Sequence, residues 1–210
     1  DAITLWDPAS ASTSRHPEKA IEKAIQEATN FIFLLSPQAI ASPDCLKQLE
    51  YAVSLNKRIT AVQIANTAAE SQPEIVQHFQ AIDLANCESD EAYTAQLSTV
   101  LKRLKENSAY FEQHKHLLVR ALKWQAQNHN LSLLLRGYNL ESADAWLKLS
   151  SGYTDEGAPL AIHRDFIEAS KNQPPDPSSD VYLCYARADV DFARKLNDAL
   201  QSQGKQTWFD

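Results

Sequence analysis

The sequence is poor in cysteine, in clustered basic residues and in long apolar runs, and each shortage argues against a class of protein. Its three cysteines, Cys45, Cys87 and Cys184, indicate neither a disulfide framework nor a metal-ligand spacing. Acidic residues outnumber basic ones by 27 to 20, and no basic cluster alternates with aromatic residues, which argues against a nucleic-acid partner. No apolar run approaches the roughly 20 residues that cross a bilayer, and no signal peptide opens the chain. We therefore expect a cytoplasmic protein with no membrane contact and no metal.

A short apolar segment followed by a capped helix gives the clearest local pattern. Residues 31–35 are apolar at every position and too few for a helix, which predicts a strand buried on both faces of a parallel sheet. Ser42 and Pro43 are typical of a helix N-cap and first helical residue. A helix over 43–56 is therefore predicted, with an apolar stripe formed by Leu46, Leu49 and Val53.

Strands and helices alternate through the first 84 residues. A helix is predicted to open at Pro17, and a shorter one near 73–79. Strands are predicted at 2–6, 31–35, 59–64 and 81–84. This alternation predicts a parallel sheet with right-handed crossovers, which is an α/β fold.

The pattern changes after residue 90 and returns near the end of the chain. Apolar residues at helical spacing from Tyr93 to Leu122 predict a long helical stripe, and further helices carry Trp146 and Phe166. Residues 172–180 contain three prolines and predict a linker. The sequence then predicts a strand at 181–185, an amphipathic helix and a last strand at 206–210.

The segment FIFLLSPQAIASPDCLKQLEYAVSLNK resembles the third strand and following helix of Toll/interleukin-1 receptor (TIR) domains, especially bacterial ones. The resemblance implies a flavodoxin-like parallel sheet over 1–105. Residues 110–170 are similar to the helical connector of multidomain bacterial relatives, so we assign 106–171 to a mainly helical connector. Residues 172–180 form the linker that follows.

The last 30 residues, 181–210, resemble the first strand, first helix and second strand of a second TIR repeat. The segment ITLWDP at 3–8 matches that same second strand, so the first domain runs from its second strand onward. The C-terminal segment is therefore expected to complete the sheet in cis, to complete a neighbour's sheet by domain swapping, or to belong to a longer tandem array.

The resemblance also implies a set of site residues. In TIR domains that cleave NAD+, a glutamate at the position of Gln48 is catalytic, and its carboxylate stabilises the positive charge that develops when the nicotinamide bond breaks. Glu50 lies nearby in sequence but about 200° around the helix, so it should not substitute. The positions matching the nucleotide pocket are Ser36, Asp44, Tyr185, Arg187 and Asp189. Asp44 stands where enzymatic relatives often carry an aromatic residue.

Two main functions follow from these expectations, and a third possibility is that this unit is a regulatory partner of a complete downstream TIR unit that carries the glutamate. The first is a TIR interaction and assembly module of a cytosolic signalling or defence protein, whose partners are other TIR domains and further domains of a longer protein. It requires no cofactor and does not cleave NAD+, because Gln48 replaces the glutamate. The alternative is an NAD+ glycohydrolase with a composite site between TIR units, NAD+ as substrate, and Gln48 as an inactivating or engineered change.

Overall fold

The computed structural model describes residues 16–173, 180–205 and 207–209, and these form an α/β protein. The helices and strands of the first half are α1 (Pro17–Glu27), β1 (Asn30–Leu35), α2 (Pro37–Ala41), α3 (Pro43–Ser54), β2 (Arg58–Gln63), α4 (Glu74–Gln77), β3 (Ile82–Asp83) and α5 (Asp90–Lys105). The predicted alternation of strands and helices is confirmed from residue 17 onward. The predicted strand at 2–6 lies outside the described residues, as does most of the linker at 172–180.

The first sheet is parallel throughout and has the order β1-β2-β3 among the described strands. Leu34 of β1 lies opposite Val62 of β2, and Val62 lies opposite Ile82 of β3. Residues at matching register positions share a face of a parallel sheet, so Leu34 and Val62 lie on the same face. The parallel α/β sheet that the sequence predicted is therefore confirmed.

Helix α5 covers this face over β2 and β3. Its buried residues Val100 and Leu104 pack with Val62, and Ile82 and Leu84 border the cluster. These apolar contacts fix α5 against one half of the sheet.

The described elements cover only one face of strand β1. Phe33 and Leu35 are buried, whereas Ile32 is 37% and Leu34 is 52% exposed on the face that α5 occupies over β2. The prediction that this apolar strand is buried on both faces is therefore wrong. An all-apolar strand needs a cover on each side, and none of the described elements covers Ile32 and Leu34.

A buried arginine connects the N-terminal ends of β1 and β2 to the C-terminal end of α5. The fully buried Arg58 donates from Nε to Asn30 Oδ1 at 2.6 Å and from a terminal nitrogen to the Leu104 carbonyl at 2.7 Å. Its other terminal nitrogen donates to the Glu106 carbonyl, and the guanidinium lies 4.3 Å from the centre of the Phe111 ring. Arg58 thus satisfies carbonyls at the C-terminal end of α5, where a cation is favoured by the helix dipole.

The helical stripe predicted from Tyr93 to Leu122 is divided between two helices. Helix α5 ends at Lys105, and α6 (Ser108–Ala126) begins three residues later. Asn107 has a φ of 48°, a left-handed conformation that asparagine adopts more readily than most residues. Apolar periodicity continued across this break, so the sequence pattern did not reveal it.

The connector is mainly helical, as predicted. It continues with α7 (Gly137–Leu149) and α8 (Ala161–Lys171), which pack on each other. The ring of Trp124 lies 5.5 Å from that of Phe166, and the Leu135 amide donates to the buried Ser170 hydroxyl at 3.0 Å. The C-terminal half of α6 therefore belongs to the same core as α7 and α8.

The C-terminal segment forms a parallel βαβ unit of β4 (Val181–Leu183), α9 (Val190–Ser202) and β5 (Thr207–Phe209). The buried Thr207 hydroxyl donates to Asn197 of α9 and accepts from Gln201 Nε2 at 3.3 Å. Among the described strands, β4 and β5 form a sheet of their own.

The chain divides into two compact units. One contains the described residues up to Lys115 together with Thr154–Gly157, and the other contains His116–Tyr153 and the described residues from Ala158 onward. The C-terminal βαβ unit thus shares a compact body with the connector helices. In the part of the chain that the structure describes, no helix is both long enough and apolar enough to span a membrane.

Candidate functional site

The first turn of α3 positions the candidate catalytic residue. The Cys45 amide donates to the Ser42 hydroxyl at 3.3 Å, and Pro43 is the first helical residue, as predicted. Gln48 lies one turn further on and is half-buried next to the fully buried Leu49. Burial of Leu49 fixes the rotation of the helix, and this rotation places Gln48 at the border of a cavity.

The cavity lies between α1 and α3 and has a volume of about 710 Å³. Tyr51 forms part of its wall, and its hydroxyl accepts a hydrogen bond from Gln26 Nε2 at 2.6 Å. The lining consists of Pro17, Glu18, Ile21, Glu22, Ile25, Asp44, Lys47, Gln48, Glu50, Tyr51 and Ser54. The volume falls within the range of small-molecule sites in proteins.

Acidic residues dominate the charge of this cavity. Glu18, Glu22, Asp44 and Glu50 line it together with a single basic residue, Lys47, which leaves a net charge of three negative units. Carboxylates repel phosphate groups, so the lining disfavours the diphosphate of a dinucleotide. The cavity suits a ligand with a positive or neutral group better than an anionic one.

Glu50 borders the same cavity as Gln48, although the two residues differ by about 200° around the helix axis. The cavity is wide enough to reach both flanks of α3. That Glu50 does not substitute for a glutamate at position 48 stays a prediction. The Glu50 carboxylate lies at the flank opposite Gln48, whereas Asp44, four residues before Gln48, lies on the same side of the helix.

Of the other predicted site residues, Asp44 lines this cavity and Ser36 does not. Ser36 is buried at the N-terminus of α2, where its hydroxyl accepts from the Ala39 amide at 3.1 Å. This hydrogen bond gives Ser36 a capping role in the structure.

The remaining predicted residues belong to the second compact unit. Tyr185 follows β4 and stacks on Phe209, with the ring centres 4.9 Å apart. Arg187 and Asp189 are exposed in a short 3₁₀ turn (Arg187–Asp189) before α9. Gln48 and Asp44 therefore share a cavity within the first unit, whereas Tyr185, Arg187 and Asp189 are held by a different unit.

The structure also contains an apolar surface that sequence reasoning did not identify as a site. It consists of the exposed β1 residues Ile32 and Leu34 together with the exposed α5 residues Tyr93, Leu97 and Leu101, and we call it the open face. The α5 residues recur every four positions, which places them on one side of the helix. That spacing was visible in the sequence, but only the structure shows that the side is exposed.

The fold and these two surfaces define an α/β domain with a parallel sheet, an acidic cavity and an apolar face that no described element covers. Residues 2–98 match the family model of the TIR domain. TIR domains are signalling and protein-interaction modules, which agrees at this level with the predicted function. No curated protein and no solved structure matches the chain.

Proposed function

We propose that this chain is a TIR assembly module of a cytosolic signalling or defence protein, and that it self-associates without cleaving NAD+. The observation that carries the proposal is the open face. Five large apolar side chains, each between 37% and 52% exposed, lie on one strand and one helix of the same sheet unit. Apolar exposure concentrated in this way is typical of protein-interaction sites in folded domains.

The chemistry around Gln48 supports the proposal that this chain does not cleave NAD+. Cleavage of the nicotinamide bond requires negative charge close to the developing oxocarbenium ion, and the amide of Gln48 supplies none. Of the two α3 carboxylates in the cavity, Asp44 lies a full turn before Gln48 and Glu50 borders the cavity from the opposite flank. The acidic lining also opposes the binding of a diphosphate.

Light scattering over a dilution series tests self-association. The parent chain is expected to show a mass above that of the monomer at high concentration, and Leu97→Asp should lower that mass by placing a charge on the open face. Leu149→Asp is the matched control, because Leu149 is also exposed but lies outside the open face. A parent chain that stays monomeric at every concentration would refute self-association.

An NAD+ glycohydrolase with a composite site is the second candidate, and the observation in its favour is that Gln48 borders a cavity of about 710 Å³. Nicotinamide release from NAD+ is measured for the parent, Gln48→Glu and the exposed control Gln125→Glu. Release by Gln48→Glu alone would identify an intact site silenced at one position. Release by none of the three supports the assembly module, and release by the parent refutes its proposed inactivity.

A further inference from the structure

A short loop between α7 and α8, Thr154–Gly157, belongs to the first compact unit, although Tyr153 before it and Ala158 after it belong to the second. We call this loop the latch. Its partners Asn56, Arg103 and Tyr110 are residues of the first unit as well. The latch is therefore a piece of the connector chain that is bound by the unit containing the parallel sheet β1-β2-β3.

The first unit binds the polar groups of two adjacent latch residues. A terminal nitrogen of Arg103 donates to both carboxylate oxygens of Glu156, at 2.8 and 2.7 Å. The Gly157 amide donates to the Asn56 carbonyl at 2.7 Å, and the Gly157 carbonyl accepts from the Tyr110 hydroxyl at 2.8 Å. The carboxylate of Glu156 and both backbone groups of Gly157 are thus bound in the way that a receptor binds a peptide.

The same site also selects the shape of the latch. Gly157 is buried and has a φ of +77°, a conformation that residues with a side chain rarely adopt. A Cβ at this position would lie 2.8 Å from the Phe111 ring and 3.1 Å from the Tyr110 ring. Only glycine fits here without strain, so the site recognises an acidic residue followed by glycine.

The composition of the latch makes its docking reversible. Burial raises the pKa of Glu156 above its ordinary value, although Arg103, Arg58 and a backbone amide act in the opposite direction. The ionised carboxylate is therefore held at a desolvation cost that it does not have in water. None of the four latch residues carries a large apolar side chain. A segment with few buried apolar contacts opens more easily than the core around it, so the latch can open while both units stay folded.

We propose that the latch is an intramolecular peptide ligand of the first unit, and that its docking and release couple the connector helices to that unit. The docked latch stabilises the start of β2 and the end of α5 through Asn56 and Arg103. A connector that loosens withdraws the latch, because α7 and α8 continue directly from its two ends, and the first unit then loses these contacts. The proposal goes beyond self-association and does not depend on it.

Amide hydrogen exchange of the full chain, followed by NMR, tests the coupling in a double-mutant cycle. Phe166→Leu perturbs the connector, because Phe166 is fully buried on α8. The double variant Glu156→Gln/Tyr110→Phe weakens docking, because it removes the charge bound by Arg103 and the hydroxyl that donates to the latch. Asp155→Asn is the matched control, since Asp155 is an exposed carboxylate of the same loop.

In the parent background, Phe166→Leu is expected to speed exchange of the Gly157 amide and of the β2 amides about threefold or more, because a looser α8 lets the latch open more often. In the Glu156→Gln/Tyr110→Phe background, Phe166→Leu should leave the β2 amides unchanged, since no docked latch transmits the perturbation. The Asp155→Asn background should behave like the parent.

Two results would overturn the proposal. No response of the β2 amides to Phe166→Leu in the parent background would show that the latch does not couple the connector to the first unit. An equal response in the parent and latch-weakened backgrounds would show that the coupling follows another route, such as α6, whose residues belong to both units. If circular dichroism shows that the double variant is unfolded, Gly157→Ala replaces it, because the added Cβ opposes docking against the Phe111 ring. Light scattering measures self-association separately, so neither result bears on the proposed function.

Discussion

Replacement of Arg58 is expected to be the most damaging single change in the first unit. Arg58→Met retains an apolar stem in the core but removes the guanidinium that bonds Asn30, Leu104 and Glu106. It also removes the contact of the cation with the Phe111 ring, 4.3 Å away. The variant therefore leaves three acceptors without their charged donor at a site that is fully buried.

The size of the expected loss of stability follows from the number of hydrogen-bond partners that Arg58→Met removes. A buried acceptor without a partner costs about 1–3 kcal/mol, and the relief from burying a charge offsets part of the total. We expect a loss of about 3–5 kcal/mol in the free energy of unfolding. Since domains are stable by only about 5–15 kcal/mol, the variant should lie near the limit of folding. Arg58→Lys keeps the charge but not the planar fork, so it should lose less.

Urea denaturation followed by circular dichroism measures this loss. Arg164→Met is the matched control, because Arg164 is exposed on α8 and its replacement should change stability by less than about 0.5 kcal/mol. A loss of less than about 1 kcal/mol for Arg58→Met would refute the reasoning. It would mean that water or a rearranged chain satisfies the carbonyls at the end of α5.

Three further changes have expected outcomes. Gly157→Ala should cost about 2–3 kcal/mol in urea denaturation, because its φ is +77° and a Cβ would lie 2.8 Å from the Phe111 ring. Thr207→Val should cost about 1–3 kcal/mol in the same assay, because it removes a buried hydroxyl from the Asn197 network. Burial and the neighbouring Lys115 lower the pKa of Lys57 to about 7, so the unfolded state binds more protons between pH 7 and 10.5. Denaturation at several pH values should therefore show the stability of the parent rising through this window, and the rise should be smaller in Lys57→Met.

Each of these changes has a control within the chain. Gly204→Ala has a similar φ of +76° but nothing within 4 Å of the new Cβ, so it isolates the backbone cost. Thr99→Val is the control for Thr207→Val, because it removes an exposed hydroxyl of α5 instead of a buried one. Equal losses for Gly157→Ala and Gly204→Ala would contradict the predicted clash, and equal losses for the two threonine variants would contradict the buried network. A parent whose pH dependence matches that of Lys57→Met would contradict the lowered pKa of Lys57.

Local patterns in the sequence predicted elements that depend on near neighbours. The Ser42 cap and Pro43 specify a helix start through contacts within one turn, and the structure confirms it. The apolar stripe predicted for α3 is confirmed at Leu49, which is buried, and is wrong at Val53, which is 38% exposed. The break at Asn107 was not predicted, since the apolar spacing continues through it and only the left-handed φ reveals it. For the candidate site, the sequence predicted Gln48 and Asp44 on one helix, but it gave no sign of the facing α1 residues that make a cavity around them.

The sequence by itself determined the alternation of strands and helices, the helix caps and the neutral side chain at position 48, because these depend on residue type and short-range spacing. Tertiary structure alone decided which apolar residues are covered. Ile32 and Phe33 are neighbours with similar side chains, yet Ile32 is 37% and Phe33 is 5% exposed. Burial depends on which element packs over each face, and that choice is made by residues distant in the chain. The open face is therefore a property of the fold, although every residue in it is visible in the sequence.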